Sequence, residues 1–240
     1  MNRLRTTIII LICLAAVIAA LLWIRETGRE EQVSVQADFE YDLLPAWDGS
    51  TAAVPVNHNV PFFTPEEKAL DFAIISYAAL DELGRCGAAF SCLEYGLLPE
   101  GERDDEEERS FITPTGYLQN RYSGELVDQE FLYNRCHLIA WQLGGDAGSE
   151  NLIAGTRYLN VEGMLPYENQ VAQYLRRHHG RHVLYRVTPV FADGELNCRG
   201  VLMEAYSVED RGRLSFCVFV YNEQPGIRID HRDGSNWLEP

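Results

Sequence analysis

The stretch "EFLYNRCHLIAW", residues 130 to 141, constrains the fold more than any other part of the chain. Successive side chains of an extended strand point to opposite faces. That alternation places Leu132, Cys136 and Leu138 on one face, and Phe131, Tyr133, Arg135, His137 and Ile139 on the other. Arg135 and His137 therefore share a face, while Cys136 points the opposite way, into core. A Cys-His nucleophile pair is excluded, because neighbours on a strand face apart. Gly144-Gly145 ends the run, and the sequence beyond it turns helical in period.

Thr156 is placed to cap a short helix carrying Asn160, and Pro166 stands where a second helix would begin. Tyr167, Val171, Tyr174 and Leu175 form the apolar stripe of that second helix, which Gly180 ends. Three strands follow in "HVLYRVTPVF", "ELNCRGVLMEAYSV" and "RLSFCVFVY", with Asp193-Gly194 and "EDRG" as the turns between them. Nearer the N-terminus, Thr64, Pro65 and Glu67 make a capping box, and "EEKALDFAIISYAALDELG" is expected to be helical up to Gly84. The fold class is α+β, with an antiparallel sheet.

Arg3 and Arg5 precede an uncharged run at residues 6 to 24. As a helix it spans about 29 Å, close to the hydrocarbon core of a bilayer. Basic residues on its N-terminal side orient the remainder outward. A cleaved signal peptide would end in a small-x-small site, whereas this run ends in "LLWIRETGREE". Cys13 follows Ile12 rather than a small residue, which speaks against lipid attachment. The expected organisation is a signal-anchor transmembrane helix within 1–28, a stalk over 29–58, and a soluble domain over 59–240 held outside the membrane.

The formal charge of −16 excludes a protein that coats nucleic acid by bulk charge. Much of the acid lies in "PEGERDDEEERS" at 99–110, which reads as a solvated loop. Between Phe131 and Thr188 the balance reverses, and Arg135, Arg157, Arg176, Arg177, Arg181 and Arg186 lean towards an anion. Cys86 and Cys92 could close a small loop, with the wider pairing open. Cys198 and Cys217 cannot pair in a simple hairpin, because Cys217 then falls opposite Glu204. "RRHHGRH" invites a zinc site through His178, His179 and His182, but no cysteine or carboxylate accompanies it at ligand spacing.

Hydrolysis of a phosphodiester needs a base near neutral pKa, a hard cation against the developing charge, and donors to the phosphate. His137, Asn151, Asn160, Glu168 and Arg135 supply those types. Mg²⁺ keeps most of its waters, so one amide oxygen can anchor it. With "NLIAGTRYLN" and "MLPYENQVAQYL", the segment "NRCHLIAWQLGG" resembles the DNA/RNA non-specific endonucleases of the ββα-metal (His-Me finger) class. The likeness is greatest to the bacterial branch that acts on DNA entering the cell. It runs from about "LDELGRCG" through "YNEQPGIRID" to the C-terminus.

The resemblance implies a ββα-metal core in which His137 is the general base and Asn160 the ligand of Mg²⁺, with Mn²⁺ as a substitute. Asn151 would brace the loop, Glu168 would lie near the cation's water shell, and Arg135 would stand beside the base. The expected products are a 5′-phosphate and a 3′-hydroxyl, from DNA and from RNA. Asn134 replaces the family's usual aspartate and Cys136 its usual glycine, exchanges that bear on fine geometry and redox sensitivity. Two alternatives follow from the same residues: an idle membrane-anchored module that binds DNA, and a secreted nuclease toxin.

Overall fold

The structure, a computed structural model, describes residues 40–101 and 112–239 of the chain. The expected membrane run at 6–24 and most of the acidic run lie outside these residues. Among the described residues no helix is long and apolar enough to cross a membrane. The strands are β1 (Ala53–Pro55), β2 (Ile74–Tyr77), β3 (Ala89–Leu93), β4 (Tyr133–His137), β5 (Leu152–Thr156), β6 (Val183–Val190), β7 (Gly200–Ser207), β8 (Ser215–Tyr221), β9 (Ile227–Asp230) and β10 (Ser235–Leu238). Six of them form an antiparallel sheet in the order β1-β8-β7-β6-β3-β2. The expected α+β class and antiparallel sheet are both present.

The sheet is covered on both faces, which is why β7 and β8 are buried along almost their whole length. Val201, Met203 and Ala205 of β7 and Phe216, Val218 and Val220 of β8 face a core shared with the helix described below. Leu202, Cys217, Phe219 and Tyr221 face the other way, towards Tyr41, Leu44, Trp47 and Val54. The stalk expected over 29–58 is therefore corrected where it is described. Residues from Tyr41 onward pack on the sheet, β1 pairs with β8, and Tyr221 donates to the carbonyl of Pro45 at 2.7 Å. Tertiary contact orders a stretch that has no period of its own.

The helix, or pair of short helices, expected from Glu66 to Gly84 is also corrected. Its capping box forms, with Glu67 N–H donating to Thr64 Oγ1 at 3.1 Å and Thr64 N–H to Glu67 Oε2 at 2.7 Å. Only a 3₁₀ turn follows, Glu67–Ala69, and Ile74–Tyr77 becomes an edge strand on β3. Short apolar runs fit either period, and here β-branched Ile74 and Ile75 pair with a neighbouring strand. Glu67 instead reaches into a buried ion cluster. Arg186 Nη1 donates to Glu67 Oε1 at 2.9 Å, and Arg186 Nε to Glu204 Oε2 at 2.8 Å. Arg186 and Glu204 face each other across β6 and β7, and Glu204 Oε1 also accepts the N–H of Phe62 at 2.7 Å.

β4 and β5 form a separate antiparallel pair, Tyr133 opposite Thr156 and His137 opposite Leu152. A helix follows directly, giving the order strand, strand, helix. Two helices were expected here; the chain forms one continuous helical run. It passes through a π-helical stretch, Leu159–Met164, into α1, Leu165–Arg177. Leu165 N–H reaches back to the carbonyl of Asn160, five residues away, so the turn before Pro166 is widened. A proline ring would otherwise clash with the carbonyl four residues back. Gly163 lets this stretch lie on β8, since a Cβ there would sit 2.2 Å from Val220 Cγ1. Val171, Tyr174 and Leu175 are buried as the stripe requires, and Tyr167 packs on Phe216 with ring centres 5.0 Å apart.

The meander keeps the expected register, with Glu204 opposite Cys217. Asp193-Gly194 does turn the chain, but β6 and β7 are joined by residues 191–199 rather than by a two-residue hairpin. All five described cysteines are unbridged. Cys86 belongs to the core on one side of the sheet and Cys92 to that on the other, so the small loop they might have closed does not form.

Candidate active site

His137 ends β4 and Arg135 stands two residues before it, so strand geometry turns both to one side. Both line a cavity of about 620 Å³, together with Asn134, Asn160, Arg157 and Glu168. The strand supplies one wall and the helix the other. Asn160 lies in the π-helical stretch and Glu168 in the first turn of α1. Four of the five expected site residues thus meet in one hollow.

Asn151 is the exception. It is wholly buried behind the cavity and spends its amide on the loop between β4 and β5. Ile139 N–H donates to Asn151 Oδ1 at 2.8 Å, while Asn151 Nδ2 donates to the carbonyls of Ile139 at 3.0 Å and Asp146 at 2.6 Å. These three hydrogen bonds hold the chain that leaves His137. A side chain so enclosed has no face left for substrate.

The first turn of the helical run is anchored at every N–H. Arg157 N–H donates to Leu132 O at 2.7 Å, Tyr158 N–H to Gln224 Oε1 at 3.1 Å, and Leu159 N–H to Thr156 Oγ1 at 2.9 Å. Thr156 is therefore the cap that the sequence suggests. Thr156 N–H in turn donates to Asn222 Oδ1 at 2.8 Å, and its hydroxyl to the carbonyl of Glu223 at 2.7 Å. Asn222, Glu223 and Gln224 thus fix the base of the element that presents Asn160. In "YNEQPGIRID" the Gly and Pro beside these residues are the signal available from sequence, and it does not show this task.

Asn160 Nδ2 donates to Asn134 Oδ1 at 3.3 Å, which turns the amide so that its carbonyl oxygen is the atom left to meet a cation. Asn134, the departure from the family's aspartate, thus retains an acceptor for that bond. Glu168 is buried, and desolvation pushes its carboxyl up to about 8, against a smaller opposing effect of a hydrogen bond from Gln142. Arg135 is steered by Nε donating to the carbonyl of Ile112 at 2.7 Å, and its guanidinium lies 4.8 Å from the centre of the Tyr117 ring. Arg157 pairs with the exposed Asp128 at 2.7 Å. Gln119, Tyr117 and Gln142 complete the setting and were missed by sequence reading, since only tertiary packing brings them here.

The donor set suits a hard cation. An amide oxygen and a carboxyl share a hollow wide enough for retained waters. The histidines of the "RRHHGRH" segment are engaged within the protein rather than simply solvated. His178 stacks on Tyr174, His179 on Tyr95, and His182 Nδ1 contacts Glu209 Oε1 at 2.7 Å. Cys136 packs against Gly155, where a Cβ would lie 2.4 Å from the sulfur. Burial pushes its thiol up, so it has little thiolate with which to sense oxidants.

Comparison with known proteins follows the same lines. NucA from Streptococcus agalactiae, in a structure with magnesium ion bound, shares the fold at a TM-score of 0.67 and 23% identity, over 77% of this chain and 87% of that one. The Sda1 nuclease with bound zinc ion matches at a TM-score of 0.59 and 29% identity, over 69% and 82% of the two chains. A deoxyribonuclease of Streptococcus dysgalactiae subsp. equisimilis is 32% identical over 107 residues, which is 43% of this chain and 32% of that protein. The match therefore spans about a third of that relative's length. The model of one family, DNA/RNA non-specific endonuclease, matches residues 67–209, well over half of the chain. This chain belongs to the DNA/RNA non-specific endonuclease family.

Proposed function

We propose that this protein is a Mg²⁺-dependent endonuclease that hydrolyses phosphodiester bonds of DNA, and of RNA, with little sequence preference. The observation that carries the reading is the meeting of His137, Arg135, Asn160 and Glu168 in one cavity. Magnesium in NucA and zinc in Sda1 support a divalent cation here. Asn160 would hold it through the amide oxygen, with Glu168 beside its waters. When bound, such an ion neutralises charge on the phosphate and on the leaving oxygen. Mn²⁺, with the same taste for oxygen, would substitute.

His137 takes a proton from the water that attacks phosphorus. Arg135 donates to phosphate oxygens, where its planar fork gives two parallel bonds. As the new P–O bond forms, the bond to the 3′ oxygen breaks. That oxygen takes up a proton from solvent, leaving a 5′-phosphate and a 3′-hydroxyl. Contacts of this kind touch backbone only, so they carry no base information. The uncharged run at 6–24 supports an anchor in the cell membrane, with the catalytic domain outside.

The test is plasmid cleavage by the full chain in mild detergent, with Mg²⁺ or EDTA, beside His137→Ala. Cleavage should require the metal and fall about 10²–10⁴-fold in the variant. A folded wild type that leaves plasmid intact with Mg²⁺, or a variant that cuts as well as wild type, refutes the reading. A gel shift by such an inactive protein would then identify it as a module that only binds DNA.

A further inference from the structure

The last hairpin carries an aromatic side chain that the proposed reaction does not use. Trp237 on β10 is 46% exposed, although large aromatic residues are usually covered. It stands opposite Arg228 of β9 in the antiparallel ladder. Directly opposed residues project from the same face, so the ring and the exposed guanidinium sit side by side. Their neighbours Ile227 and Asn236 turn inward and are buried, which seats the hairpin on the domain.

Trp237 lines a second cavity of about 380 Å³. Tyr117 and Gln119 line both this cavity and the one holding His137, so the two hollows adjoin. Arg135 lies over the Tyr117 ring at that boundary. A strand whose phosphate sits at Arg135 and His137 thus has a continuous path towards Trp237.

The chemistry of the second hollow narrows what it can hold. Its amides are already committed inside the protein. Gln119 Nε2 donates to the carbonyl of Tyr133 at 2.5 Å, Asn120 Nδ2 to Asn236 Oδ1 at 3.0 Å, and Asn236 Nδ2 to the carbonyl of Leu118 at 2.9 Å. With those amides committed, the hollow offers the Trp237 ring beside the half-exposed Leu118, next to Ser235, with Arg228 as the nearby cation. Stacking is the interaction such a surface gives, and every base has a face to stack. In a duplex those faces are hidden.

We propose that Trp237, with Arg228 across the ladder, is a stacking platform for an unpaired base of the nucleic-acid substrate, next to the cleavage cavity. The proposal rests on the nuclease reading above. It makes single-stranded or frayed nucleic acid the preferred substrate class. It also accounts for binding without sequence preference, because the amides that could read base edges are spent.

The experiment compares wild type with Trp237→Ala and Trp237→Phe, as full chains in detergent, on a mixed-sequence single-stranded oligonucleotide and on the same sequence as a blunt duplex. The alanine variant should lose about tenfold on the single strand, mainly in KM, with a smaller loss on the duplex. Phenylalanine should restore most of the difference. Equal losses on both substrates, or no loss on the single strand, overturn the proposal. Binding is measured separately, by anisotropy of a labelled single strand with His137→Ala and with His137→Ala/Trp237→Ala. If wild type cuts nothing, the nuclease reading fails by itself. The platform then stands if the double variant binds about tenfold more weakly and falls if the two bind alike.

Discussion

Replacing Asn151 tests whether one buried amide holds the loop that follows His137. Asn151→Ala removes three hydrogen bonds at once. Asp146 is exposed, so water can serve its carbonyl, but Ile139 is wholly buried and its N–H and C=O lose their partner. Each buried polar group left unmet costs about 1–3 kcal/mol, so for these two the expected loss of stability is roughly 2–6 kcal/mol. Urea denaturation measures it. Asn151→Asp keeps the acceptor for Ile139 N–H and loses the donors. An ionised carboxylate would then face two carbonyl oxygens, which raises its pKa in the folded state. A raised folded-state pKa gives stability that is present at low pH and lost as pH rises. The aspartate variant should therefore weaken from pH 5 to pH 8 while the alanine variant keeps its deficit. At a low temperature where both are folded, kcat should fall by about 10–100-fold, because the loop begins immediately after His137. Apparent Mg²⁺ affinity should change little, since Asn160 sits on a different element. A loss below 1 kcal/mol in Asn151→Ala, or an aspartate variant whose deficit against wild type does not change with pH, would refute the reasoning.

Glu168 gives the metal-free protein a pH dependence of its own. Its folded pKa of about 8 lies above the ordinary carboxyl value, so stability declines as pH rises from about 4.5 towards 8, by up to ~4 kcal/mol. Glu168→Gln should flatten that decline and melt above wild type at pH 8 in EDTA; parallel melting curves would contradict it. Arg186→Ala should cost about 3–5 kcal/mol by urea denaturation, because Glu67 and Glu204 are then left buried without their cation. A cost under 1 kcal/mol would show that the cluster contributes little. Asn134→Asp keeps an acceptor for Asn160 Nδ2 and adds negative charge at the cavity, so half-maximal Mg²⁺ for cleavage should drop by about 3–10-fold. No change in the Mg²⁺ titration would separate Asn134 from the cation.

Which parts of this structure were legible in advance depended on how local their causes are. The strand through Arg135 and His137, shorter than the 130–141 run expected, the placing of both side chains on one side, and the stripe on α1 follow from side-chain period. The cap at Thr156 and the box at Thr64–Glu67 follow from hydrogen bonds over three residues. The helix expected beyond Glu67 failed where a local signal met a tertiary one. Glu67 caps the turn with one oxygen and pairs with Arg186 through the other, and the chain then extends to join β3. Residues 41–58 offered no period at all, yet one face of the sheet needed an apolar cover and they supply it.

The cavity shows the same division. His137, Arg135, Asn160 and Glu168 lie in order along the chain, so their spacing could suggest a set, but nothing local shows what holds the set still. Asn160 is aimed by Asn134, 26 residues earlier. The helix beneath it is tied by Asn222 and Gln224, 66 residues after their partners. Gln224 also donates to the carbonyl of Leu126 at 3.0 Å, which joins the segment before β4 to the segment after β8. These residues fall outside or at the far ends of any short motif. The element that carries Asn160 is therefore tied down by segments distant in sequence, which converge on its first turn where unpaired N–H groups would otherwise be left open.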